Sequence, residues 1–270
     1  MSKERCAKYK YIHFPFRSSF FSFEIQPPGH IFVLQIESDK THWSNLTSSK
    51  QQYIQIPKKT KSQYQQFGLA KMAMLMETLR FIKSHWTSLP YPTHQFTGQT
   101  IVVTGSNVGM GLEAARHFVR LEAAKVILAV RTISKGENAK SSIETSEKRP
   151  GVVEVWELDL ASYASVKAFA AKAQGLDRLD VVVENAGMYA FDFQMAEENE
   201  RTITVNVVSQ FFLGLLLLPK LRETSLRFEK ETVLTFTGSF VYWLTKFPER
   251  KSEHVFDELA KKETARIADR

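Results

Sequence analysis

An α/β fold built on a doubly wound parallel sheet is predicted for this chain by three observations. From Phe96 onward, short β-branched runs alternate with longer amphipathic segments, the pattern of strand, helix, strand repeated. The runs are nearly continuous in Val, Ile and Leu, as strands covered on both faces must be. A glycine-rich turn, Thr104 to Gly111, stands between the first run and the first amphipathic segment.

The predicted strands are Thr100–Val103, Val126–Val130, Val152–Leu158, Val181–Val183 and Val233–Thr237. Between them, helical spacing predicts Gly111–Leu121, Lys135–Thr145, Ser162–Ala173 and Arg201–Leu221. Crossovers between parallel strands are right-handed, so ligands are expected beyond the carboxyl ends of the strands. Within the last helix, the apolar run Phe211–Leu218 is preceded by Asn206, Ser209 and Gln210. It falls short of the roughly 20 apolar residues that span a bilayer, and a buried helix is predicted instead.

The region before Phe96 differs in character. Residues 1–67 mix aromatic residues (Phe14, Phe16, Phe20, Phe21, Phe23) with the polar run Thr47 to Gln66 and show no sustained period, which predicts a poorly ordered extension. Leu69, Met72, Met76, Leu79 and Ile82 then recur at helical spacing with charged residues between them. One amphipathic helix is predicted, followed by a linker through Pro90 and Pro92. Three regions result: 1–67, a basic extension; 68–95, helix and linker; 96–270, the α/β domain.

The formal charge of +7 divides unevenly. Residues 1–95 hold 13 Lys+Arg against 5 Asp+Glu, and residues 96–270 hold 23 against 24. The excess therefore says little about the main domain's ligand. Aromatic residues interleaved with lysine allow an RNA- or lipid-binding arm, but no RNA-binding signature accompanies them, and nucleic acid is not predicted as a partner. Weak contact with a membrane surface through 68–86 is the alternative to that helix packing on the main domain. With Cys6 the only cysteine and no apolar leader core, a reducing, cytoplasmic compartment is expected.

The turn carries the chemistry. Gly105 permits a tight turn, Gly109 lets the backbone approach a diphosphate, and Gly111 lets helix and strand pack closely. Ser106, Asn107 and Val108 complete the turn, and the helix behind it offers unpaired N–H groups and a favourable dipole to an anion. This predicts a Rossmann-type dinucleotide site. The second strand ends in Arg131 and Thr132, with no acid to hold a ribose 2′-hydroxyl. Arg131 suits a 2′-phosphate instead, favouring NADP over NAD, the alternative being a solvated strand-end cation.

Together these residues resemble the short-chain dehydrogenases/reductases. The likeness rests on Thr104-Gly105-x-x-x-Gly109-x-Gly111, on Asp159-Leu160 after the third strand, on Asn185-Ala186-Gly187 after the fourth, and on Asn206 and Ser239 in the family's order. It covers about residues 96 to 270, and Lys246-Phe247-Pro248-Glu249-Arg250 is similar to the retinol-dehydrogenase-like branch common among fungal enzymes. The resemblance implies that Asp159 bonds the adenine with Leu160 beside it, and that Asn185-Ala186-Gly187 support the sheet and line the cofactor channel. It implies further that Ser239 binds the substrate oxygen while Asn206 holds a water in a proton relay.

The family's base is a Tyr followed four residues later by a Lys. Tyr242-Trp243-Leu244-Thr245-Lys246 has that spacing, but Tyr242 stands only three positions beyond Ser239 and Pro248 would interrupt a helix there. The pair is taken as a decoy. Ile267-Ala268-Asp269-Arg270 is similar to the stretch that directly precedes the family's Tyr, so the α/β domain is expected to be incomplete, lacking its last strands, and the chain to turn over little or nothing. The expected function is an NADP-dependent oxidoreductase interconverting an alcohol and a carbonyl on a small lipophilic substrate. The alternative is a non-catalytic nucleotide-binding protein acting through partners, with self-association at an unpaired edge, Val233-Leu234-Thr235-Phe236.

Zinc-type spacing is absent among His13, His30, His42, His85, His94, His117 and His254, so no metal is expected. Neither a Gly-x-Ser-x-Gly elbow nor a phosphate-loop lysine occurs, which sets aside the usual hydrolase and nucleoside-triphosphatase classes.

Overall fold

The structure, a computed structural model, describes residues 22–25, 31–35, 76, 79–80, 83, 91–239 and 245–267. Its core is a parallel five-stranded sheet. In chain order the strands and helices of that core are β3 (Thr100–Thr104), α1 (Gly109–Arg120), β4 (Lys125–Val130), α2 (Ile133–Glu147), β5 (Val153–Glu157), α3 (Tyr163–Gln174) and β6 (Val181–Glu184). A short antiparallel pair, β7 (Met195–Ala196) and β8 (Asn199–Glu200), precedes α4 (Arg201–Ile203), which runs through a π-turn (Thr204–Val208) into α5 (Ser209–Phe228); β9 (Val233–Thr237) closes the parallel set.

Across the sheet the parallel strands lie in the order β9-β6-β3-β4-β5. The chain moves outward from β3 to β5, then returns to β6 on the other flank, so the reversal falls between β3 and β6. Loops leaving these two strands diverge there, which opens a crevice at their carboxyl ends.

Apolar clusters cover both faces. One joins Val102, Ile127, Val182 and Leu234 to Leu213, Leu217 and Leu221 of α5 and to Phe169 of α3. The other joins Ile101, Val103, Leu128 and Val130 to Val119 of α1 and Ile143 of α2. Alternate residues of each strand thus serve opposite layers, as the pleat requires. Small residues set how closely the helices approach. A Cβ at Gly214 would stand 3.1 Å from Phe236 Cζ and 3.2 Å from Leu234 Cδ2, and Phe211 stacks on Phe236 with ring centroids 4.7 Å apart. At the amino end of β6 the buried Asp180 accepts from Thr100 N at 2.8 Å and from Arg178 Nε at 2.8 Å, closing the end of the sheet remote from the crevice.

Two features depart from the sequence expectations. First, β1 (Ser22–Ile25) and β2 (Ile31–Gln35) form a hairpin, and β2 pairs antiparallel with β9, Ile31 opposite Thr237 and Gln35 opposite Val233. The Val233–Phe236 edge expected to be bare is therefore occupied by the chain itself. Ile-Phe-Val-Leu is too short a run to show a period, and only the free edge of β9 selects its pairing. Second, Arg201–Phe228 is one helix long and apolar enough to cross a membrane by length and composition, where Phe211–Leu218 alone was read as too short. Its Leu213, Leu217 and Leu221 are fully buried against the sheet, which accounts for its apolar character. Of the helix predicted in 68–86, Met76, Leu79, Arg80 and Lys83 are helical and exposed, and the rest lies outside the described residues.

Leu217 has no exposure and bridges α5 to the central strands. Leu217→Ala is expected to lower the unfolding free energy in urea by about 2–5 kcal/mol. Gly136 of α2 faces Val155 Cγ1 and Val130 Cγ2, the latter 2.7 Å from where a Cβ would stand. Gly136→Ala should therefore cost about 1–3 kcal/mol through overpacking despite its better helix propensity, as the same denaturation experiment would show.

Candidate cofactor-binding site

The crevice is built around the turn that leaves β3. Gly105 and Gly109 adopt left-handed φ of 63° and 62°, conformations that glycine reaches without cost. Their surroundings differ. A Cβ on Gly105 would lie 2.8 Å from Ala186 Cα, and one on Gly111 would collide with Asn185 Nδ2 and stand 2.6 Å from Gly105 O. Gly109 has nothing within 4 Å. Gly105 and Gly111 thus permit packing between the turn and the exit of β6, while Gly109 leaves open space where a bulky anion can meet the backbone. Val108, the extended N-cap of α1, makes no side-chain cap, and the first turn of the helix holds no acid. The helix dipole at that opening has no local negative charge to offset it.

Ser106 anchors the turn from within. Its buried hydroxyl donates to Val103 O at 2.8 Å and ties the turn to β3. Asn107 and Gly105 line a cleft of about 230 Å³, together with Arg131 and Thr132 after β4, Asp159 and Leu160 after β5, and Ala186, Gly187 and Met188 after β6. Lys135, in the first turn of α2, also lines this wall. Residues from four separate loops are thereby gathered at one mouth. Thr132, the N-cap of α2, makes no side-chain cap either, and no acid occupies the first turn of that helix.

Each wall of the cleft is braced. Asp159 Oδ1 accepts from Ala161 N at 2.9 Å, which fixes the carboxylate at the head of its loop, and Leu160 is buried below it. Asn185 Nδ2 donates to Thr104 O at 3.1 Å. The Thr104 hydroxyl accepts from both Asn185 N and Ala186 N, each at 2.9 Å. Gln210 of α5 donates to Ala186 O. Sequence reading placed Thr104 in the turn without this bracing role, and it did not single out Gln210, Met188 or Lys135, because their partners are 18 to 82 positions away or appear only when the loops converge.

Asn206 occupies the middle of the π-turn, and its amide makes a two-way clasp on the next loop. Oδ1 accepts from Met188 N and Nδ2 donates to Met188 O, both at 2.8 Å. The helix that carries it starts at Glu200, whose buried carboxylate accepts from Thr202 N at 3.0 Å and from Thr202 Oγ1 at 3.1 Å. A π-turn adds one residue to the helical repeat and redirects a backbone carbonyl, a distortion concentrated at functional positions.

Ser239 follows β9 by two residues and is exposed. Since β9 lies parallel to β6 with Phe236 opposite Glu184, Ser239 and the Asn185 loop leave the sheet on the same edge. Tyr242 falls outside the described residues. Lys246 is exposed on irregular backbone, Phe247 after it is left-handed at φ 41°, and Pro248 opens a 3-10 turn, Pro248–Lys251. Among the described residues no group of three or more His, Cys, Asp or Glu is placed to hold a metal ion.

Glu184, also unremarked in the sequence, ends β6 with no exposure. Burial pushes its carboxyl up to about 8, against a smaller lowering by the Thr104 hydroxyl at 3.4 Å. The folded chain therefore holds this proton more tightly than the unfolded chain. The ionisation penalty is absent below about pH 4.5, and stability falls as pH rises from there to about 8.

Comparison with known proteins agrees with this geometry. Residues 99–226 match the family model described as short chain dehydrogenase. The chain is 49% identical over 193 residues to the short chain dehydrogenase atnD of Emericella nidulans, covering 71% of this chain and 62% of that one. It is 50% identical over 167 residues to the short chain dehydrogenase/reductase dmxR8 of a Cryptosporiopsis species, covering 61% and 52%. The short chain dehydrogenase sol3 of Alternaria solani is 38% identical over 197 residues, covering 71% of this chain and 68% of that protein. The match thus spans between about half and two thirds of these relatives' own length. The matched family model and relatives of this identity and coverage place the chain in the short-chain dehydrogenase family.

Proposed function

We propose that the chain is an NADP-dependent oxidoreductase that interconverts an alcohol and a carbonyl on a small lipophilic substrate. The observation that carries this reading is the cleft wall after β4, where Arg131, Thr132 and Lys135 stand together at an uncapped helix start, with no acid between them. A ribose 2′-phosphate would meet a planar guanidinium, an ammonium and a helix dipole of the right sign. An acid at the end of β4, the usual choice for a free 2′-hydroxyl, is absent.

The rest of the dinucleotide fits residues already described. Its diphosphate suits the open space at Gly109 and the uncapped α1 terminus, and Asp159 with Leu160 forms the wall expected to face the adenine. When bound, such a cofactor supplies the hydride that passes to or from the substrate carbon. The chain's own part is to orient and to exclude. Ala186, Gly187 and Met188 hold the nicotinamide side of the cleft, and Ser239 would donate to the substrate oxygen as its charge develops. Asn206, clasped to Met188, would seat the water of a proton relay. Tyr189 and Phe191, in edge contact at 5.2 Å and largely exposed just past Met188, offer an apolar rim suited to a lipophilic substrate.

One observation favours a second reading, that of a nucleotide-binding protein without turnover. Lys246 stands on irregular backbone just before a left-handed residue and a 3-10 turn, and not on a helix of the kind that carries the family's Lys.

Titration of the 270-residue chain with NADPH and NADH should give tighter binding of NADPH, and Arg131→Ala should weaken NADPH about tenfold to a hundredfold while leaving NADH nearly unchanged. Equal affinity for the two cofactors in the unmodified chain would remove the 2′-phosphate assignment. In a carbonyl-reduction assay, Ser239→Ala should lower kcat about 100-fold or more. If the unmodified chain binds NADPH and shows no reduction of any lipophilic ketone, the non-catalytic reading stands. Reduction that Tyr242→Phe abolishes would instead make Tyr242 the base.

A further inference from the structure

The buried carboxyl of Glu184 has no place in the reading above, yet it lies where the strands that frame the cleft meet. Val182 belongs to the core beneath α5 with Leu213 and Leu217, and strand alternation puts Glu184 on that same face. Thr104 of β3 stands on one flank of it and Phe236 of β9, in register with Glu184, on the other. None of the elements around it carries a charge. Strands β3 and β9 hold no ionisable residue, and neither do residues 185–188 or residues 202–219 of the helix above. Glu184 Oε2 reaches Thr104 Oγ1 at 3.4 Å, and Oε1 has no hydrogen-bond partner among the described residues.

The Thr104 hydroxyl accepts two backbone amides, from Asn185 and Ala186, so both of its lone pairs are engaged. Its single proton must go elsewhere, and the acceptors within reach are Glu184 Oε2 at 3.4 Å and Val183 O at 3.5 Å. Where that proton points decides whether the lone pairs stay on the two amides. The amides belong to the segment packed against Gly105, whose Cβ position is 2.8 Å from Ala186 Cα.

We propose that Glu184 is a positioning residue for the dinucleotide turn: by accepting the hydrogen bond of the Thr104 hydroxyl, it keeps the Thr104 oxygen on the Asn185 and Ala186 amides and so holds the exit of β6 seated against Gly105. This rests on the cofactor reading above and adds to it a residue that touches no ligand. As a neutral acid, Glu184 fits its apolar pocket. As a carboxylate it would need several donors where one hydroxyl is at hand, and water drawn in to solvate it would displace Thr104 from its amides.

The test is NADPH affinity of the full chain between pH 6.5 and 9.5, read by fluorescence, for the wild type and Glu184→Gln. The wild type should weaken roughly three- to tenfold as the pH passes about 8, the equivalent of one hydrogen bond lost from the turn. Glu184→Gln, neutral at every pH and of the same shape, should keep the pH 7 affinity throughout. A parallel fall in the variant, or no fall in the wild type, overturns the proposal. If the wild type binds no NADPH at any pH, the cofactor reading fails by itself, and hydrogen exchange of the Asn185 and Ala186 amides decides the brace. Protection lost above pH 8 in the wild type and kept in Glu184→Gln supports it; equal loss in both, or no protection at pH 7, rejects it. Should Glu184→Gln not fold, Thr104→Val should bind NADPH weakly with no pH dependence over this range, and a retained dependence overturns the proposal.

Discussion

The close approach between the glycine turn after β3 and the segment that leaves β6 is the contact on which the rest of the cleft depends. Two glycines make it possible, since a Cβ on Gly105 would crowd Ala186 Cα and one on Gly111 would collide with Asn185. Thr104 and Asn185 then secure it through four heavy-atom contacts of hydrogen-bonding length, two of them to backbone amides. With the two loops held together, α1 starts at a fixed distance from the sheet and its uncapped N-terminus faces the cleft. Move them apart and the open space at Gly109, the wall of Ala186, Gly187 and Met188, and the clasp of Asn206 on Met188 lose their common frame.

That frame is extended by the long helix. The Arg201–Phe228 segment packs Leu213, Leu217 and Leu221 on the sheet, while its π-turn places Asn206 over the loop after β6. Gly214 brings it down onto Leu234 and Phe236. The same helix therefore contributes both to the core and to the site. Its apolar composition, which by length would suit a membrane, follows from lying across strands that have no polar face to offer.

Charge is distributed with a similar division of roles. Outside the cleft, ion pairs such as Lys125 with Glu154 and Arg227 with Asp177 sit on the surface and contribute little. At the cleft wall, Arg131 and Lys135 are grouped without an acid among them. Beneath the cleft, Glu184 is isolated from all of these, in a layer of threonine, phenylalanine and aliphatic side chains. The cleft thus offers positive charge on one wall and uncapped amides at the glycine turn, above a largely apolar floor.

Much of this could be read along the chain. Alternating β-branched runs and amphipathic segments imply a covered parallel sheet because backbone polar groups must pair and apolar faces must be buried, and all five strands fall where those runs stand. Gly105, Gly109 and Gly111 announce the tight turn because only glycine tolerates the backbone angles and the close contacts needed at that spacing. These are local constraints, set by residues within a few positions of one another. What the tertiary structure alone decided was everything that depends on a distant partner. The pairing of Ile31–Gln35 with the edge of β9, the delivery of Lys135 to the same wall as Arg131, the turning of Ser106 into the protein, and the burial of Glu184 beside Thr104, 80 positions away, belong to this class. No local pattern encodes them, because each arises only when separate strands end side by side and their loops must share one space.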